Sequence, residues 1–122
     1  MLNSVILMGR LTADPELRST QNGTSVTQFT LAVDRDFVKQ GEERQTDFIN
    51  CVAFKQTAEF ITKHFGKGRM IALTGRLQSR TYDDKNGVKQ YVTEVIVDKA
   101  SFTGEAKKQT ESYGATNDNV PY

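Results

Sequence analysis

The chain has no tryptophan, one cysteine, one histidine and two prolines in 122 residues. A single cysteine excludes an intramolecular disulfide framework and fits a reducing cytoplasm. A single histidine, His64, leaves little material for a histidine-rich metal site or a histidine-based triad. No apolar run approaches the roughly 20 residues of a membrane span. The opening MLNSVILMGR carries no basic leader, so no signal peptide is expected. A large excess of either sign of charge is missing too. The net charge is +1, divided as +2 over residues 1–104 and −1 over residues 105–122. If the chain binds a polyanion, local arrangement must do it, helped by a force other than bulk charge.

What is present reads as one small domain with an appendage. Hydrophobic residues make up 37% of the chain, enough for a modest core. Ser4 to Thr12 forms a first strand, in which Gly9 suggests a bend or bulge. ADPELRSTQNG follows as a turn region, with Pro15 and Asn22-Gly23 as its signals. In TSVTQFTLAVDRDF, Phe29, Leu31 and Val33 share one alternating face. After a polar loop around Gly41 comes a third strand, about Asp47 to Phe54. KQTAEFITKHFGKG then changes period. Ala58, Ile61 and Phe65, widened by Phe60, make the stripe of a short amphipathic helix that Gly66 and Gly68 end. MIALTGRLQSRTY alternates as a fourth strand, with Ile71, Leu73 and Leu77 facing the core. DDKNG is a hairpin turn, and VKQYVTEVIVDKASF is a β-branched fifth strand. Three strands, a helix and two more strands match an all-β, five-stranded Greek-key barrel, the OB-fold, with its helix between strands 3 and 4. Residues 105–122, nearly devoid of aliphatic side chains, are expected to be a disordered tail.

One stretch carries the functional signal. In DFINCVAFK, Ile49, Cys51 and Ala53 point to one side of the strand as small core residues. Phe48, Asn50, Val52 and Phe54 point to the other, with Lys55 alongside. Arg76, Arg80 and Tyr82 share one parity class on the fourth strand, and the loop before the third carries Arg35, Phe37, Lys39 and Arg44. Rings interleaved with cations suit a single-stranded nucleic acid, because bases stack on rings while cations track phosphates. Stacking also supplies what a weakly basic chain lacks. Taken singly, a ring on a barrel strand is more often core or subunit interface than a nucleic-acid platform, and Arg76 and Arg80 alone are usually a solvated face.

These residues resemble the bacterial and phage single-stranded DNA-binding proteins over about residues 1–104. The resemblance runs through NSVILMGRLTADPELRSTQNGTSVTQFTLAVDR, TDFINCVAFKQTAEF, KGRMIALTGRLQSRTY and YVTEVIV. It implies an OB-fold assembled as a homotetramer that wraps single-stranded DNA without sequence preference in replication, recombination and repair. It implies base stacking on Phe37, Phe48, Phe54 and Tyr82, and backbone contacts from Arg10, Arg35, Lys55, Lys67, Arg76 and Arg80. Tetramer assembly in the family uses the N-terminal strand, where Ile6 and Met8 read as core or as interface. Two departures stand out. The family usually places Trp at one or more stacking positions, so weaker binding per base is expected here with the mode intact. Its acidic tip, two Asp followed by an aliphatic residue, Pro and Phe, is reduced to Asp118-Asn119-Val120-Pro121-Tyr122 after a short linker. Docking of replication and repair proteins would then fall on Asp118, Val120, Pro121 and Tyr122.

The remaining polar residues suggest no enzyme, metal or cofactor. Asp14 and Glu16 flank Pro15 as turn residues, Asp83 and Asp84 sit in a hairpin, Cys51 reads as core and Met70 as structural. An interaction module that dimerises and docks on other proteins is the competing class. A cold-shock-like RNA chaperone is weaker, since such domains are shorter and lack the helix.

Overall fold

Alternating burial along the strands builds a closed barrel in the computed structural model, which describes residues 1–104. The elements are β1 (Val5–Leu11), β2 (Arg18–Ser19), β3 (Ser25–Asp34), β4 (Thr46–Phe54), α1 (Lys55–His64), β5 (Met70–Asp83) and β6 (Lys89–Ser101). The strand order is β1-β5-β6-β4-β3-β2, and β1 also pairs with β3, which closes the sheet. All pairings are antiparallel except β4 with β6. This is the expected OB-fold of five long strands and one helix. The two-residue β2, paired at Arg18↔Val26 and Ser19↔Ser25, lies within the stretch read as a turn region, so α1 falls between β4 and β5. The tail expected over residues 105–122 lies outside the described residues.

The core lies inside the barrel. Leu11, Leu31, Ile71, Leu73 and Val95 from the strands are at most 2% exposed. Helix α1 adds Ala58 and Ile61 to this core, and Phe65 follows just past its end, the three residues the periodicity singled out. A side chain of Ile61's size contributes roughly 1.5–3 kcal/mol when fully buried. Ala53 and Ala58, both fully buried, keep the start of the helix tight against the end of β4. At the other end of α1 the Phe65 N–H donates to the Ile61 carbonyl at 3.0 Å. Asp14 accepts the Lys67 N–H at 2.7 Å, which ties the chain after the helix to the segment after β1.

Two close backbone approaches need glycine. A Cβ on Gly9 would lie 2.5 Å from the Ala32 carbonyl oxygen, at the point where β1 passes from β5 to β3. Gly9 keeps regular register with Ile71, so it serves close approach and not a bulge. A Cβ on Gly75 would lie 2.2 Å from the Ile96 carbonyl oxygen. The bulge sits in β6 instead. The partner jumps from Lys99, opposite Thr74, to Val97, opposite Gly75, leaving Asp98 as the extra residue. Its carbonyl accepts the Thr57 hydroxyl at 3.5 Å, which links the bulge to α1.

Two burial assignments differ from the alternation. Leu77 keeps the parity of Ile71 and Leu73 but is 48% exposed, because β5 and β6 run on past the barrel. Val52, on the less apolar face of β4, is buried because β6 lies beside it, with Ile96 as its partner. Beyond the barrel the long hairpin ends at Asp84, whose side chain accepts the Asn86 and Val88 N–H groups, each at 2.9 Å. Those bonds hold its carboxyl below the ordinary range, the Val88 bond foremost.

Gly75→Ala is expected to destabilise the fold by about 2 kcal/mol, since backbone and not a side-chain tip would have to yield. Urea unfolding measures it, and an unchanged midpoint would remove the close-approach role.

Candidate nucleic-acid interface

The parallel pairing of β4 with β6 brings two ladders onto one face. In β3–β4 the partners Thr30↔Asn50 and Gln28↔Val52 point outward from the core. In β5–β6 the pairs Arg76↔Ile96, Gln78↔Glu94, Arg80↔Val92 and Tyr82↔Gln90 do the same. Directly opposed residues share a face, so Val52↔Ile96 joins the two sets. Between them lies a cavity of about 540 Å³ whose lining includes Gln28, Thr30, Asn50, Arg80, Tyr82 and Glu94. The Thr30 hydroxyl donates to the Asn50 side-chain oxygen at 3.1 Å, which leaves the amide N–H groups as donors.

Large exposed rings share the sheet face of this groove or stand on the loop before β4. Phe48 and Phe54 stand on the groove face of β4, 67% and 40% exposed. By strand rise they are roughly 20 Å apart. Tyr82 lines the groove itself. Phe37, 78% exposed, is carried on the β3–β4 loop. That loop is pinned at its base: Arg35 and Asp47 form a bidentate ion pair, with Nη2 2.9 Å and Nε 3.1 Å from the carboxylate oxygens. The Arg35 hydrogen bond lowers the Asp47 pKa, so this tie is present at neutral pH and is lost as pH falls through the lowered value. Arg44 donates to the carbonyls of Arg35 and Asp36 and so spans the loop.

The cations divide by position. Arg10 shares a face with Ala32, and Ala32 with Phe48, so Arg10 stands two strands from that ring. It also donates to the Gly68 carbonyl at 3.0 Å. Arg76 faces the groove row of Ile96 and Val52. Arg80 donates through Nε to Glu94 at 2.9 Å, and its guanidinium carbon lies 5.8 Å from the Tyr82 ring centre. Lys55 follows Phe54 with no intervening loop, in the left-handed region at φ 58°. Lys67 lines a different cavity of about 610 Å³ at the end of α1, with Lys63, His64, Phe65, Arg69 and Phe102. There Arg69 sits 5.5 Å from the ring centres of both Phe65 and Phe102.

Some of this was not legible as site. Glu94, 6% exposed on the groove floor, lay hidden in a β-branched run, where its parity with Val92 and Ile96 was the available signal. Ile6 and Met8 are 78% and 55% exposed on the outside of β1, not core. His64 packs against Phe60 and Phe102, with ring centres 4.8 and 5.6 Å away. Cys51 is buried, its thiol pushed up to about 12 by burial and then by the Glu94 charge. Asp118, Val120, Pro121 and Tyr122 lie outside the described residues. Among the described residues no cluster of His, Cys, Asp and Glu could hold a metal, and no helix is long and apolar enough to cross a membrane.

Lys55→Gly tests the strained junction. Glycine adopts positive φ without the Cβ penalty, roughly 1–2 kcal/mol for other residues. Thermal unfolding of the variant is expected to show it no less stable than the parent; a clear loss would mean the Lys55 side chain holds the junction.

Comparison with known proteins gives the family of the chain. A family model described as the single-strand binding protein family matches residues 2–103. The chain is similar to single-stranded DNA-binding protein 1 of Staphylococcus aureus (strain Mu50), 53% identical over 102 residues, covering 84% of this chain and 65% of that protein. It is also similar to the single-stranded DNA-binding protein of Lactiplantibacillus plantarum, 44% identical over 117 residues, covering 96% of this chain and 58% of that one. The matched region thus spans less than two thirds of either relative's length.

Proposed function

The chain belongs to the single-strand binding protein family, and from that premise we propose that it binds and protects single-stranded DNA without sequence preference in replication, recombination and repair. The observation that carries this reading is the groove lined by Tyr82 and Arg80, on a sheet face that also carries the water-exposed rings of Phe48 and Phe54. Bases stack on Phe37, Phe48, Phe54 and Tyr82, each worth roughly 1–3 kcal/mol. Lys55, Arg76, Arg10 and Arg35 take phosphates around the groove, Arg80 takes one while tied to Glu94, and Lys67 extends the path past the helix end. Because any base offers a ring face, such a surface reads no sequence. The role is binding, without catalysis, in the cytoplasm.

Assembly and partners belong to the same proposal. Ile6 and Met8 supply an apolar strip on β1, which a homotetramer would cover. Residues 1–104 form the binding domain, and residues 105–122, outside the described residues, dock partner proteins through Asp118, Val120, Pro121 and Tyr122. Deleting residues 117–122 is expected to leave oligonucleotide affinity intact or slightly tighter while abolishing capture of partners; loss of DNA binding would refute the docking role.

Fluorescence anisotropy of labelled oligo(dT) against a duplex of equal length, at two salt concentrations, tests the main reading. Strong preference for the single strand, persisting in part at high salt, is expected. Equal or negligible binding to both would make the ring-lined face a protein interface. Phe54→Ala should weaken oligo(dT) binding by about 1–3 kcal/mol at unchanged salt slope. Lys55→Ala should instead lower that slope by up to about 0.7.

A further inference from the structure

A buried carboxylate on the floor of a groove meant for a polyanion calls for a reason. Glu94 is 6% exposed and lies on the same β6 face as Val92 and Ile96. Stability does not supply that reason, since apolar residues of similar volume often replace a buried ion pair at no cost. Repulsion of phosphate argues against it as a simple contact. Its hydrogen bond is informative: Oε1 accepts from Arg80 Nε at 2.9 Å. The terminal nitrogens of Arg80 meet no acceptor among the described residues, and its side chain is 44% exposed. The same guanidinium lies 5.8 Å from the centre of the Tyr82 ring.

We infer that Glu94 is a positioning residue for one nucleotide subsite, holding Arg80 by Nε so that its terminal fork and the Tyr82 ring are set together before DNA arrives. The inference rests on the single-stranded DNA reading above. Arginine has five N–H donors in a fixed plane, so it can hold Glu94 at one edge and a phosphate or base oxygen at another. The rotamer freedom of a long side chain is then lost on folding instead of on binding. Glu94 also offsets the charge of Arg80. The subsite therefore gains geometry while releasing fewer counterions, which separates positioning from ordinary phosphate attraction.

The test is oligo(dT) affinity of the full chain across a salt series, with thermal unfolding of every variant. E94Q keeps an oxygen for Nε but removes the offsetting charge. It should bind at least as tightly as wild type at low salt, with a steeper salt slope. E94A also steepens the slope but frees the fork, so it should bind about tenfold more weakly than E94Q. In an Arg80→Ala background, which with E94Q or E94A holds no buried unpaired carboxylate, that tenfold difference should vanish. R80K keeps a cation for Glu94 without the two-edged plane and should also lose about tenfold. The inference is overturned if E94A matches E94Q, if their difference survives without Arg80, or if R80K binds like wild type. Should E94A not fold, R80K and the comparison of E94Q with R80A/E94Q decide it, the latter again by about tenfold. Failure of wild-type protein to prefer oligo(dT) over duplex would instead sink the functional reading itself.

Discussion

The parallel contact between β4 and β6, at Cys51↔Val95 and Val52↔Ile96, is the constraint on which the groove depends. Each ladder alone is an ordinary antiparallel ribbon with one polar face. Only their junction sets Asn50 and Thr30 across from Arg80, Tyr82 and Glu94. The sheet that carries this junction is closed by β1, which reaches both β5 and β3. Backbone approaches backbone closely at Gly9, beside the closing β1–β3 pairing, and at Gly75, beside the β6 bulge. A groove for side-chain chemistry thus shares its sheet with two positions that have no side chain.

Most of the fold was legible because alternation and helical period survive in the residues that meet the core. Phe29 and Leu31, Ile71 and Leu73, and Ala58, Ile61 and Phe65 are buried as their spacing requires. Where the reading fell short, the missing information was held by a partner strand. Two residues are too few to alternate, so β2 was hidden inside turn chemistry. The extra residue at Asp98 belongs to the register of β5 against β6, which neither strand reveals alone. Leu77 kept its parity but lost its cover, since parity does not say where a barrel ends.

The site divides in the same way. Parity on β4 and β5 separates Phe48, Phe54, Arg76, Arg80 and Tyr82 from the core side of their strands, and all are exposed there. The resemblance supplied Lys67, which the fold sets in the cavity at the end of α1. Glu94 went unread as a site residue because an acid in a β-branched strand looks like surface until the neighbouring strand covers it.

The direct passage from Phe54 into α1, without a single loop residue, carries a further consequence. Phe54 is the N-cap of the helix, and Lys55 its first residue. Ala58 and Ile61, one and two turns on, are wholly buried. A ring and a cation at the surface therefore share one rigid lever with the centre of the barrel. In a genetic screen, substitutions at Ile61 that merely shift the helix would score as loss-of-function alleles of the surface. Mapping alleles alone would then draw a binding site reaching into the core, where no ligand goes.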